Sequence, residues 1–269
     1  LLPAIDSGLV SLSAKVTTIP YWQKKSVSLY LANSFQMLPQ MPAASVPMIF
    51  ADPPYFLSGG GISCSGGKQV SVNKASWDEA VGWKEKHEFN RNWLRECKRV
   101  MAKDGSIWVS GTMHNIYSVG LALEQEGFRI LNNIIWRKTN PPPNLACRCF
   151  THSTETLLWA CHSDKRANHY FNSALMKEIN GGKQMKDVWE GSLTPQREKK
   201  YGKHPTQKPE YLLERIVLAT SRPGDIVLDP FCGSGTTGVA ALRHGRQFIG
   251  IDTEAVYLNI ARQRLEQEK

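Results

Sequence analysis

Apolar residues in this chain fall into short continuous runs, and between the runs they recur at three- and four-residue spacing, the pattern of strands separated by helices. Seven runs read as strands: Val27 to Leu31, Val46 to Ala51, Ile107 to Val109, Phe128 to Trp136, Thr154 to Cys161, Ile226 to Asp229, and Gln247 to Ile251. Asn33-Ser34 caps a short helix through Phe35, Met37 and Leu38. Phe89, Trp93, Cys97, Val100 and Met101 share one face of a longer helix that Asp104-Gly105 is expected to stop. Ile116 to Glu126 makes another, with Gly127 at its end, and Pro209 opens a third through Leu212, Leu213, Ile216 and Val217. Val239 to Arg243 and a closing helix carrying Val256, Tyr257, Ile260, Ala261 and Leu265 complete the series.

Strands alternating with helices predict an α/β chain with a mostly parallel, seven-stranded sheet. One strand should run antiparallel. Phe128 to Trp136 and Thr154 to Cys161 are separated only by a loop that opens with the stiff, basic stretch Arg137 to Asn144, too little for a crossover helix. Residues 1–26 read as an irregular segment, 27–162 as one half of the domain, 163–203 as an insertion, and 204–269 as the second half. In the insertion apolar periodicity fades while Lys, Arg, His and Asn rise around Trp189, which suits contact with a polyanion; the alternative is a solvated excursion with one buried tryptophan. The Gly- and Ser-rich stretch from Phe56 to about Lys74 reads as a lid or flap, or as a plain linker.

Composition narrows this only a little. The 269 residues are 41% hydrophobic, enough for one large domain with an insertion. A net charge of +9 favours a polyanionic partner. No apolar run is long enough to span a membrane, and Leu1-Leu2-Pro3-Ala4 has no basic n-region, so it reads as a processed end rather than a signal peptide. The six cysteines form no disulfide framework, and Cys147, Cys149, His152, Cys161 and His162 lack a two-by-two zinc pattern. Reduced thiols in a cytoplasm and no metal are the expectation.

The chemistry concentrates in two places. Asp52-Pro53-Pro54-Tyr55 follows an apolar strand, where open parallel sheets bind ligands. Two prolines remove backbone donors, so a carboxylate, an unclaimed carbonyl and an aromatic ring can together hold an exocyclic amine and stack on its base. A proline turn with a capping Asp is the alternative. Downstream, Gly233, Gly235 and Gly238 fit a dinucleotide fingerprint, with Asp252 placed to bind a ribose. Taken alone that supports an NAD-dependent oxidoreductase. Asp229, just before the turn, argues otherwise: a carboxylate there repels a pyrophosphate but suits a ligand with an ammonium group, such as S-adenosylmethionine.

With Asp229-Pro230-Phe231-Cys232-Gly233-Ser234-Gly235 after Asp52-Pro53-Pro54-Tyr55, the chain resembles the β group of DNA amino-methyltransferases, whose motif order is circularly permuted. Lys203-His204-Pro205-Thr206-Gln207-Lys208-Pro209 is similar to that group's segment lining the methionine end of the cofactor. Phe56 through Gly67, Lys86 to Asn90 and Gly182 to Trp189 resemble the second methylase of DpnII-type restriction-modification systems, enzymes that modify adenine in GATC, single strands included. The resemblance implies a Rossmann-like S-adenosylmethionine-dependent fold, DNA as partner, and methyl transfer to adenine N6 in a bacterial cytoplasm. It makes 163–203 a target-recognition region and leaves a homodimer open.

It further implies catalytic roles for Asp52, Pro53, Pro54 and Tyr55. Cofactor contacts are expected from Asn33, Asp52, His204, Thr206, Lys208, Asp229, Pro230, Phe231, Gly233, Ser234, Gly235 and Asp252. Nucleic-acid contacts are expected from Lys138, Asn140, Lys183, Lys186 and Arg197. Asn33 stands where the family commonly has an acid, so weaker or altered cofactor binding is expected. N4-cytosine methylation is the nearest alternative reading, and a non-catalytic nucleic-acid-binding protein a distant one. No Pro-Cys dipeptide of the cytosine-C5 enzymes occurs.

Overall fold

Along each central strand, successive apolar side chains point to opposite faces, and the two sets so formed define the layers of the molecule. The computed structural model describes residues 18–56, 62–65, 68–71, 82–163 and 168–268. Its strands, in chain order, are β1 Trp22–Lys24, β2 Val27–Leu31, β3 Val46–Ala51, β4 Ile62–Ser65, β5 Lys68–Ser71, β6 Met101–Gly111, β7 Phe128–Lys138, β8 Thr154–His162, β9 Val188–Gly191, β10 Ile226–Asp229 and β11 Gln247–Asp252. The helices are α1 Ser34–Met37, α2 Trp83–Val100, α3 Ile116–Gln125, α4 Ser173–Ile179, α5 Glu210–Thr220, α6 Thr236–Arg243 and α7 Ala255–Leu265.

The main sheet runs β1-β2-β11-β10-β3-β6-β8-β7-β9. Its seven central strands are the seven expected, and β8 alone among them runs against its neighbours. Ile49, Leu228, Ile249 and Ala160 face α2 and α3, joining Trp93, Leu94 and Val119 in one apolar cluster. Met48, Phe50, Val227, Phe248 and Trp159 face the other way, against Leu212 and Ile216 of α5, Val239 of α6 and Leu258 of α7. Trp108 and Trp159 stack across neighbouring strands, their ring centroids 5.2 Å apart and nearly parallel. Such a pair fixes the register of β6 on β8.

Several boundaries differ from the sequence expectation. Segment 18–26 is not wholly irregular: Lys25, with φ of 47°, turns β1 back onto β2 as an edge hairpin. The helix over Trp93 begins at Trp83 and ends at Val100, while Asp104-Gly105 falls inside β6. There the pairing jumps from Val46↔Met101 to Met48↔Ser106, so the extra β6 residues are looped out. Segment 163–203 does contribute to the sheet, because β9 pairs parallel with β7. Trp189 is buried against Trp108, with its ring under Arg215, so it serves the core rather than a partner. Within the Gly- and Ser-rich stretch, β4 and β5 form a two-stranded hairpin; the remainder of the expected lid lies outside the described residues.

Truncating Trp108, which is 2% exposed and donates to Thr220 Oγ1 at 3.1 Å, removes a stacking partner from the core centre. Trp108→Ala should cost about 3–5 kcal/mol in urea unfolding.

Candidate active site

Four adjacent parallel strands end in polar residues along a single edge. In sheet order β2, β11, β10 and β3 deliver Asn33, Asp252, Asp229 and Asp52. The chain leaves β10 for α6 on one face and leaves β3 for α2 on the other, so a crevice opens between them, as at the switch point of a doubly wound sheet.

Asp52 is held by two side chains. Its Oδ1 accepts from the Tyr55 hydroxyl at 2.6 Å and its Oδ2 accepts from Lys208 Nζ at 2.6 Å. Tyr55 Oη also lies 2.9 Å from Ser110 Oγ near the end of β6. Asn115 Nδ2 donates to the Pro54 carbonyl at 2.9 Å, and Asn90 holds Asn115 in turn. The Pro53 carbonyl accepts no hydrogen bond from a described residue. Tyr55 itself is only 5% exposed, and Lys208 Nζ sits over its ring, 5.2 Å from the centroid. Burial, then the charges of Asp52 and Glu155, push the Tyr55 hydroxyl well above its ordinary range, so it is a donor here and not a base.

Lys208 is the hinge of a buried charge row. Its Nζ lies 3.6 Å from Glu155 Oε2, and Glu155 Oε1 accepts from Lys138 at 2.7 Å. Burial alone would lower the Lys208 ammonium, but Asp52 and Glu155 outweigh it and hold the group above its usual value. Two carboxylates and two ammonium groups therefore alternate and balance, which makes their burial tolerable.

The glycine turn after β10 forms the other half. Asp229 is 2% exposed; Oδ1 accepts from the Phe231 amide at 3.0 Å and Oδ2 from the Thr237 hydroxyl. Burial raises its carboxyl to about 7 despite these bonds, and Asp52 and Asp252 add to the rise. Asp252 Oδ2 accepts from the Gly233 amide at 2.8 Å and Oδ1 from Glu254, tying the end of β11 to the turn. Its carboxyl is also raised, chiefly by burial. Gly235 requires glycine: φ is 74°, and a Cβ would lie 2.8 Å from that of Ala261. Ser34 donates to the Pro230 carbonyl, joining β2 to the turn, while Asn33 caps α1 through the Phe35 amide at 2.9 Å. His204 packs beside Gly233 and edge-on to Tyr257, with Thr206 bonded to its Nδ1.

Sequence reasoning missed several of these. Phe35, Phe56 and Phe89 were not expected at the site; together with Phe231, which was, they form an aromatic floor beside the turn, the rings of Phe35, Phe56 and Phe231 lying 5.1, 5.4 and 6.3 Å from that of Phe89. Ser110 meets the Tyr55 hydroxyl, Asn115 holds the Pro54 carbonyl and Thr237 donates to Asp229, and none of the three gives a pattern of its own. Glu155 had a readable signal: a lone acid at the start of the apolar strand Thr154-Glu155-Thr156-Leu157-Leu158.

A groove of about 1260 Å³ leads away from Tyr55 and Lys208. Its walls come from Met113 and Tyr117 of the α3 region, from Pro142 to Ala146 in the β7–β8 connection, and from Thr194 and Lys199 after β9. A recess of about 30 Å³ adjoins it, lined by Asp52, His204, Asp229, Phe231 and Gly233. The expected nucleic-acid residues are not gathered there as a set. Lys138 lines the groove but is paired with Glu155, and Asn140 accepts from the Leu193 amide, joining the two loops. Arg197 is exposed on the turn that carries Lys199. Lys183 and Lys186 are exposed but precede β9, whose far end is the one aligned with Lys138, so they stand back from the rim.

A doubly wound sheet with a glycine turn, a buried acid and a second acidic loop at its switch point defines the Rossmann-like methyltransferase class. Comparison with known proteins narrows it. A DNA methylase family model matches residues 46–263. The type II methyltransferase M2.DpnII of Streptococcus pneumoniae is 64% identical over 251 residues, covering 93% of this chain and 94% of that one. M2.MboI of Moraxella bovis is 43% identical over 247 residues, 91% and 90% of the two chains. The crystal structure of M1.HpyAVI with SAM has a TM-score of 0.66 at 28% identity, covering 89% of this chain and 98% of that one. The cytosine-N4-specific PvuII methyltransferase shares the fold, at TM-score 0.74 and 19% identity over 93% and 89% of the chains. The chain belongs to the DNA methylase family and is a DNA methyltransferase.

The state of Asp229 is measurable. Its folded-state value of about 7 lies above the unfolded one, so the stability it contributes is present at low pH and lost as pH rises from about 4 through 7. Asp229→Asn, whose oxygen can accept from the Phe231 amide while its Nδ2 donates to a reoriented Thr237 hydroxyl, should therefore gain on the parent by about 1–3 kcal/mol between pH 5 and pH 8 in urea unfolding. A constant difference across that range would remove the buried acid's role.

Proposed function

We propose that this enzyme transfers a methyl group from S-adenosylmethionine to N6 of adenine, within GATC, on single strands as well as duplex DNA, as the second methylase of a restriction-modification system in a bacterial cytoplasm. The observation that carries the reading is Asp52, placed at the end of β3 between the cofactor turn and the groove, beside the open Pro53 carbonyl. The likeness to M2.DpnII supports the assignment to that type of system.

The residues suit the cofactor. Asp229, a buried acid raised to about 7, gains from a cationic neighbour, and the Gly233 and Gly235 turn brings backbone close to a bound group. The recess beside His204 and Asp229 takes the methionine end, and Asp252 with Asn33 the ribose and adenine side. The aromatic floor of Phe35, Phe56, Phe89 and Phe231 offers faces to the adenine ring and the sulfonium. When bound, the cofactor supplies an electrophilic methyl group.

Everything else falls to the protein. The adenine amine is a poor nucleophile because its lone pair is delocalised into the ring. Asp52 and the Pro53 carbonyl hold its two N–H bonds, turn the lone pair toward the methyl group and stabilise the positive charge that develops on nitrogen. A base must leave the stack to reach Asp52, which costs a few kcal/mol in a duplex and little in a single strand. The groove, with Lys199 on its wall and Arg197 on the same turn, receives that base and its flanking backbone. A homodimer is part of the same reading, to be sized by light scattering.

The test incubates the protein with methyl-labelled cofactor and oligonucleotides, duplex and single-stranded, with and without GATC, followed by identification of the labelled nucleoside. N6-methyladenine confined to GATC strands is expected. Label on N4 of cytosine would overturn the base assignment. Asp52→Ala should bind cofactor within about threefold of the parent while transfer falls at least about 10³-fold. Activity within tenfold of the parent would take Asp52 out of that role.

A further inference from the structure

Lys208 makes the two contacts that the target base is proposed to make. Its ammonium sits 2.6 Å from Asp52 Oδ2, where the exocyclic amine is to be held, and it covers the Tyr55 ring at 5.2 Å, where the base is to stack. A cation cannot stay on Asp52 while the amine nitrogen becomes positive beside the same carboxylate, since the two charges would repel across a few ångströms of low-dielectric interior. Withdrawal into the apolar core would strand a buried charge, at a cost far above that of leaving it paired. A second acceptor must therefore lie within reach of the four-carbon stem.

Glu155 is that acceptor. Its Oε2 lies 3.6 Å from Lys208 Nζ, too long for a good hydrogen bond, is buried and has no closer partner among the described residues, whereas its Oε1 is taken by Lys138 at 2.7 Å. Both residues line the groove. An unsatisfied buried carboxylate oxygen is costly to keep, and its place beside a displaceable ammonium explains why it is there. Resting on the proposed reaction, we propose that Lys208 is a placeholder for the target base and that Glu155 is the positioning residue which receives its ammonium when the base's amine takes Asp52. The exchange breaks one ion pair and shortens another, and no proton changes hands. The net charge of the row is the same before and after: Lys208 stays paired, and Asp52, released by the ammonium, is met by the N–H donors of the amine.

Two measurements decide it. In a crystal structure of the unaltered enzyme with the demethylated cofactor and a single-stranded GATC oligonucleotide, Lys208 Nζ should lie within about 3.2 Å of Glu155 and beyond hydrogen-bond distance of Asp52. A base seated on Asp52 with Lys208 still bonded there would overturn the proposal. In kinetics, Glu155→Gln should lower kcat at least about tenfold with cofactor Kd and DNA KM changed less than about threefold, and Glu155→Asp should recover part of the loss. Adding Glu155→Gln to Lys208→Gln should slow the enzyme no further, because Glu155 acts through Lys208. Unchanged kcat, or losses that multiply in the double variant, would refute it. If the parent labels cytosine N4, the adenine reading falls, yet the same comparison still decides Glu155, since either target is an exocyclic amine. Cofactor binding by each variant, measured by calorimetry, separates a kinetic effect from misfolding.

Discussion

Concentrating negative charge at one edge of the sheet is the constraint the rest of the structure answers. Asp52, Asp229 and Asp252 end three neighbouring strands, and each is mostly or wholly removed from water. Burial raises the affinity of Asp229 and Asp252 for protons, and neighbouring negative charge adds to it. Each acid is met differently. Asp252 is satisfied by two backbone amides, Asp229 by an amide and a hydroxyl, and only Asp52 by a full cation. The site thus grades its acids from neutral-leaning at Asp229 to ion-paired at Asp52. That gradient separates the part suited to a bound cation from the part suited to an amine that becomes one.

How much of this could be read from the chain depends on range. The seven central strands were legible because each carries an apolar run between turn or helix signals; most are buried on both faces, while β7 exposes Asn132 and Asn133. Asp52 and Asp229 were legible for the same reason: both stand at the boundary where such a run stops. The glycines declared the turn because no other residue sits easily at the φ of Gly235. Helix limits were less clear. Asp104-Gly105 reads as a helix stop, and only the pairing of β6 with β3 reveals it as a loop within a strand.

What escaped the sequence was carried by contacts between distant segments. Lys208 and Asp52 are 156 residues apart, and nothing local in His204-Pro205-Thr206-Gln207-Lys208 distinguishes a side chain reaching a cofactor from one reaching a carboxylate across the crevice. Edge strands β1 and β9 are three and four residues long, too short to show a period. Trp189 lay in a segment read either as contacting a polyanion or as an excursion with one buried tryptophan, and packing against Trp108 put it in the core. Basic residues in the same segment also divide by position: charge alone could not tell Lys183 and Lys186, back from the rim, from Arg197, which shares a turn with Lys199 of the groove wall.

The strand order has a consequence for how the molecule comes into being. β2 and β3 are successive in the chain yet stand three places apart, with β11 and β10 between them. A growing polypeptide that has emerged only as far as β9 therefore holds two unpaired interior edges with a gap between, and these edges have no partner until the last fifth of the chain arrives. Folding has to close the sheet from the centre, by inserting late strands between early ones, a long-range and slow arrangement. The crevice that joins Asp52 to the glycine turn is created by that same insertion, so no truncated product carries a half-built catalytic centre able to bind both substrates.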